Sequence, residues 1–331
     1  MSLTVFPLAG MQAHARRFPV QMSNRIHRPN GDPYRMALGY RTLASLLKQC
    51  ILQITGTNYR STYKLQFTMK KTYAVINTLV VLAVIFWNYW SNTGAVAGST
   101  VADVSDRYSN LFTPAGYAFA IWGVIFLGLV VLVVNQLRLA FGDGAHSDTI
   151  LQIGPWLSIA NLGNALWLWF WLHDQVGISV LVMLVILFSL IQVVLRLNME
   201  RWDAPLPVIA TVWWPISLYI GWIAVATIAN VSAWLTSMQW SALFTEVQWT
   251  VIMISIAGVL NLVMIHTRNM REFASVGVWA LVAIAVRHWD VIPVLQWTSV
   301  LWVAVLGTAI MVHAYKNRHL GPFRRLMEAR G

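Results

Sequence analysis

The sequence predicts an all-α polytopic membrane protein, and three observations carry that prediction. Apolar runs of about 20 residues, the length a helix needs to cross a bilayer, recur along the chain. Only 11% of the 331 residues are charged against 58% apolar, and mean hydropathy is +0.61, whereas about a quarter of a soluble domain is charged. The Lys and Arg residues gather in alternate loops, as the positive-inside rule requires.

Residues 1–68 read as a basic N-terminal extension. They mix Pro7, Pro19, Pro29 and Pro33 with scattered Arg and hold no sustained period. Residues 1–71 carry eleven Lys/Arg and one acid, Asp32, so nearly all of the +11 net charge lies there and nucleic-acid binding is not implied. Met69-Lys70-Lys71 directly precedes the apolar run from Tyr73. That is a common way for a bacterial membrane protein to begin, so 1–68 is expected to be a disordered cytoplasmic extension or to lie upstream of a start at Met69. The run 72–90 reads as an uncleaved first helix, because the cluster Trp87-Asn88-Tyr89-Trp90 suits a membrane interface better than a cleavage site.

Seven more spans follow, at about 116–137, 150–172, 178–198, 207–232, 247–266, 273–288 and 296–315, and short connections make consecutive helices antiparallel neighbours. The long connection 91–115 reads as a cap. With the N-terminus inside, inner segments hold 21 Lys/Arg and outer ones two, Arg107 and Arg287; without residues 1–68 the ratio is 12 to two. Both termini, including the basic tail 317–331, are therefore expected in the cytoplasm and the protein in the cell (inner) membrane. The single cysteine, Cys50, excludes an intrachain disulfide and a thiolate metal cluster.

No ionisable side chain lies mid-span between about 116 and 312, which counts against a pump, an antiporter or an intramembrane protease. The span polar groups are amides and hydroxyls: Asn77, Asn161, Asn164, Thr227, Asn230 and Asn261. In Tyr219–Trp234, the residues Tyr219, Trp222, Ala226, Asn230 and Trp234 fall within about 120° of one helical face. Asn164, Trp167 and Trp171 repeat the theme within about 60°. Each face offers indoles and one amide, suited either to helix packing or to a weakly polar ligand. The 18 Trp sit within spans as well as at their ends, which an interfacial belt alone does not explain. Outer-loop Asp103, Asp106, His173, Asp174, Glu246, His288 and Asp290 match no metal signature and read as solvated charge.

These residues carry a resemblance to the TspO/MBR family, the tryptophan-rich sensory or translocator proteins. The fifth family helix reads Tyr-x-x-Trp, Ala-Thr, then Asn and Trp, matched by Tyr219, Trp222, Ala226-Thr227, Asn230 and Trp234. Its third helix is matched by Asn164, Trp167, Phe170-Trp171 and Gly177, and the entry to its second by Pro114, Tyr117, Phe119, Trp122 and Phe126. Val231–Thr236 lacks the Tyr and Arg associated with cholesterol in vertebrate members, so cholesterol is not implied. The resemblance implies a five-helix ligand-binding core, 69–235, extended by three helices, 236–316. It implies a flat hydrophobic ligand such as a tetrapyrrole, with no cofactor required, and a sensory or transport role without catalysis. The expected ligand-binding residues are Trp122, Asn164, Trp167, Tyr219, Trp222 and Asn230, beneath 91–115. Arg107 and Arg287, positive charges on the outer side, are candidate contacts for an anionic group such as a propionate. The expected partners are the lipid bilayer and the ligand, and a homodimer is compatible with the pattern. Alternatives are a facilitator of small neutral or lipid-like solutes and a structural membrane subunit.

Within the last three spans, Ser255, Gly258 and Asn261 form a small-small-amide row, and Gly307-Thr308 is suited to receive it. These helices are expected to pack on the core or on one another without forming a pore.

Overall fold

The computed structural model describes residues 62, 64–108, 110–142, 146–202, 204–240 and 243–317, and over these it is helical with no strand. Apart from the start of the first helix, the expected extension 1–68 lies outside the described residues, as does the tail beyond Asn317. The long helices are α1 (Lys64–Ser91), α3 (Ile121–Phe141), α5 (Trp156–Leu172), α6 (Val176–Arg196), α8 (Trp214–Ser237), α9 (Glu246–Arg268), α10 (Arg271–Arg287) and α11 (Pro293–Lys316). Short α2 (Val101–Arg107), α4 (Asp148–Ile153) and α7 (Leu206–Val208) lie between them. A 3-10 turn, Gly116–Ala120, leads into α3, and a π-helical turn, Ile209–Trp213, leads into α8. Among the described residues, six helical segments are long and apolar enough to cross a membrane. Helices α5 and α10 have 17 residues each, about 26 Å against a hydrocarbon core of about 30 Å.

Three boundaries differ from the sequence reading, each for a local reason. Helix α1 is already helical at Lys64, well before the expected start near 72. The lysines at its foot bind locally: Lys70 pairs with Asp148 at 2.6 Å, and the Lys71 ammonium lies 4.1 Å from the Phe67 ring centre. The span expected from 150 breaks between α4 and α5, where Gly154 adopts φ +53 and Pro155 follows. At the head of α8, Pro215 has no N–H to offer the preceding turn. The π-helical turn falls at that weak point.

Helix α10 is wedged against α8, α9 and α11. A Cβ on Gly221 of α8 would stand 3.0 Å from the Phe273 carbonyl oxygen and 3.2 Å from Val276 Cβ, so the missing side chain is what lets α10 come this close. The described helices belong to one compact unit, and no structural boundary falls at 235.

Amides inside the bundle are used as interhelical bonds. Asn77 of α1 donates to Gln136 Oε1 of α3 at 3.1 Å and accepts from Ser158 Oγ of α5 at 2.6 Å. The Ser255–Gly258–Asn261 row makes helix contacts as expected, but not with Gly307, which has nothing within 4 Å of its missing Cβ. The α11 partner is Trp302. Its indole lies over Gly258, with its N–H 3.4 Å from Ser255 Oγ, while Asn261 fills the space above Gly277 of α10. A bulky ring over a glycine does the work the sequence assigned to two small residues.

Gly258→Leu should therefore cost about 1–3 kcal/mol by overpacking, seen as a lower melting temperature in detergent; an unchanged one would show that α9 and α11 do not meet there. Glu200, after α6, is pushed up from 4.5 to about 7, by burial first and then by Glu272, with Arg271 opposing. A carboxyl raised in the folded state makes stability fall as pH rises between those values. Glu200→Gln should remove that fall, melting higher than the parent at pH 8 and alike at pH 4.

Candidate tryptophan cavity

The site grows from the indole faces of α5 and α8. On α5, Trp167 and Trp171 are one helical turn apart, so their rings stack, with centres 5.7 Å apart and planes at 19°. Opposite them stands Trp222 of α8, with Phe119 of the 3-10 turn edge-on to it at 6.2 Å. Trp122 of α3 stacks on Phe126 at 5.3 Å and meets Tyr219 edge-on at 6.0 Å. Trp167, Trp171, Trp222, Phe119 and Trp122 line a cavity of about 50 Å³, and Ala226 and Ala229 give it room on the α8 side.

Asn230 is the amide on this wall. Its Oδ1 accepts the Trp167 indole N–H at 2.9 Å, and its Nδ2 donates to Ser179 Oγ of α6 at 2.9 Å. Ser179 in turn donates to the Val176 carbonyl at 2.7 Å. Three helices are thus joined through one buried side chain, 3% exposed.

The roof is α2 with the turn after it. Thr100 and Asp103 cap α2 reciprocally, and the Thr100 backbone N–H, its hydroxyl and Arg107 hold the Asp103 carboxyl below the ordinary range, in that order. Val101, Ser105 and Tyr108 face the cavity from α2 and its end, and Thr113 and Pro114 from the turn. Burial raises the Tyr108 phenol, and the Asp174 carboxylate adds to it. The Trp171 indole N–H reaches the Val101 carbonyl at 3.3 Å.

Helix α10 braces the turn. Its Ala283 carbonyl accepts from Ala115 N at 3.1 Å, and its Trp279 indole donates to the Ala118 carbonyl at 3.1 Å. Arg287 donates to the Pro114 carbonyl at 3.4 Å, and His288, just past the helix, sits 2.7 Å from the Leu111 carbonyl. Backbone groups that no regular ladder would satisfy are satisfied here by one helix.

Of the six expected ligand residues, Trp122, Trp167, Trp222 and Asn230 stand on the cavity wall, and Asn164 and Tyr219 do not. Asn164 turns toward α1, where its Oδ1 accepts from Asn88 at 2.8 Å. Tyr219 lies behind Trp122, with its hydroxyl 3.4 Å from the Ala160 carbonyl. Both arginines, the expected anion contacts, have acidic neighbours of their own. Arg107 grips both oxygens of Asp174, at 3.0 and 3.2 Å, and Arg287 lies 3.7 Å from Asp106. A carboxylate across the loop holds each cation, so both serve the roof. Trp171, Phe119 and Tyr108 complete the wall; Trp171 was legible as the i+7 member of the α5 stripe, whereas Tyr108 lies where no period exists. Trp234 packs over Gly177, whose missing Cβ would stand 3.0 Å from its indole nitrogen. Two of the family positions quoted above thus meet in one α6–α8 contact.

Asn230→Leu should leave the Trp167 N–H and Ser179 without a partner and cost about 1–3 kcal/mol, read as a lower melting temperature with an altered near-ultraviolet Trp signal. Ser179→Ala, which takes the partner from the amide N–H but leaves the Trp167–Asn230 bond in place, should cost less.

No curated protein and no solved structure matches the chain. The family model described as TSPO-like protein matches residues 74–312. The match runs from α1 into α11, and so takes in the braced roof, the aromatic cavity and the helices after 235. A chain matched over so much of its length, with those motifs around one cavity, belongs to the TSPO-like protein family.

Proposed function

We propose that this membrane protein binds a flat hydrophobic molecule, a tetrapyrrole or a metabolite of similar shape, between the Trp167–Trp171 pair and the Trp122, Phe119 and Trp222 rings. Its role is then sensory or transporting, without catalysis. The observation that carries the reading is the pairing of opposed aromatic walls with one amide, Asn230, in a mostly apolar cavity. Stacking supplies affinity, and the amide, once released by Trp167, orients the ligand.

At about 50 Å³ the cavity is small, whereas small-molecule pockets run to about 300–1,000 Å³. Binding therefore requires the roof to lift and the Trp167 indole to swing off Asn230. Exchanging that hydrogen bond costs about 0.5–1.5 kcal/mol. The Arg107–Asp174 pair is roughly half exposed, and such pairs contribute about 0.2–1 kcal/mol. Both are small beside the stacking a planar ligand gains. The protein is further proposed to sit in the cell membrane with both termini in the cytoplasm, supported by the Lys/Arg asymmetry.

Added protoporphyrin should quench Trp fluorescence saturably. Trp222→Ala with Trp167→Phe should weaken binding at least 10-fold, while Asn164→Ala, on the α1 seam, should stay within a few-fold of the parent. Equal affinity in the double variant would remove the cavity from consideration. Weak binding with solute uptake into liposomes would favour a facilitator.

A further inference from the structure

Beside the roof, at the same end of the bundle, lies a second and larger cavity of about 390 Å³. It opens in the α8–α9 hairpin. Ser232, Leu235 and Thr236 of α8 are spaced i, i+3, i+4, and Glu246, Trp249, Thr250 and Met253 of α9 are spaced i, i+3, i+4, i+7, so each set forms one stripe. The two stripes meet where Ser232 Oγ donates to Met253 Sδ at 2.8 Å. On its other faces α9 packs against Trp302 of α11 and Gly277 of α10.

The mouth is aromatic. Trp249 sits between Trp240, at 5.4 Å, and Phe244, at 5.2 Å and 84°. Glu246 joins them, and among the described residues the lining includes no Lys, Arg or His. The remaining polar groups, Asn110 of the roof turn, Gln239 and the two threonines, all offer oxygen acceptors. An interfacial aromatic belt accounts for rings at helix ends facing lipid; it does not account for rings that wall a cavity together with a carboxylate.

Ring faces and a carboxylate, with no competing cation, favour positive charge. The walls choose among cations. A hard metal ion seeks a cage of oxygens, whereas Leu235, Met253 and the three aromatic side chains reward alkyl groups around the charge. The carbonyl end of α8 adds a negative helix terminus, and Glu246 offsets the positive terminus of α9. We propose that this cavity binds an alkylated ammonium group, from a free amine or from a lipid headgroup. The assignment is independent of what the tryptophan cavity takes.

The test uses the full chain in nanodiscs and reads Trp emission and melting temperature against choline chloride, with sodium chloride at equal ionic strength as reference. A neutral isostere of choline, 3,3-dimethylbutan-1-ol, separates charge from shape. Choline should act saturably, the isostere should not, and Glu246→Gln and Trp249→Leu should each weaken choline about 10-fold. Protoporphyrin affinity should not change in Glu246→Gln. Choline binding masked in phosphatidylcholine discs but seen in phosphatidylglycerol discs assigns the site to a lipid headgroup; equal binding in both assigns it to a soluble amine. No saturable response in either disc, an isostere as effective as choline, or an indifferent Glu246→Gln would each overturn the proposal.

Discussion

The bond between Asn230 and the Trp167 indole is the interaction on which the rest of the arrangement depends. At hydrocarbon depth an amide cannot turn to water, so its oxygen and nitrogen must both find partners in protein. Trp167 comes from α5 and Ser179 from α6, and satisfying both sets the rotation of three helices at once. With that rotation fixed, Trp171 falls under Trp167, Trp222 falls opposite, and the small face of α8 at Ala226 and Ala229 is left as a gap. The cavity is what remains between rings whose positions a polar bond has already settled.

The roof obeys the same rule by different means. Residues 110–120 are too irregular to pair their own backbone throughout, and α10 supplies the missing partners through Ala283, Trp279, Arg287 and His288. Helices after 235 are therefore part of the machinery that shapes the cavity, although none of their side chains lines it. The glycine at 221 makes this arrangement possible, since α10 could not otherwise lie close enough to α8 to reach the turn.

Much of this was legible beforehand, where a period or a spacing carries the information. The spans, the α5 and α8 aromatic stripes and the capping role of 91–115 follow from repeat lengths and helical angles. Side-chain heading within a stripe does not. Asn164 shares an arc with Trp167, yet 60° on a helix is enough to send it to Asn88 of α1. Ion-pair partners are not legible either: Arg107 and Arg287 lie on the outer side of the expected topology, but the carboxylates beside them, Asp174 and Asp106, are distant in sequence. Contact by glycine is equally ambiguous, for Gly258 accepts a ring, Trp302, as readily as another small residue.

The π-helical turn at Ile209–Trp213 has a consequence for how such a cavity is re-aimed over time. A π turn absorbs one residue more than an α turn does, so each residue beyond it takes about the place its predecessor would hold in an unbroken α-helix, roughly 100° and 1.5 Å back. Tyr219, Trp222 and Asn230 all lie downstream of it on a rigid rod. Closing that single turn to α geometry would swing the whole aromatic stripe of α8 to another neighbour with every side chain in it unchanged, whereas deleting the extra residue at the same time would leave the stripe in phase. The turn, more than any side chain within the stripe, thus decides which neighbours the α8 rings face.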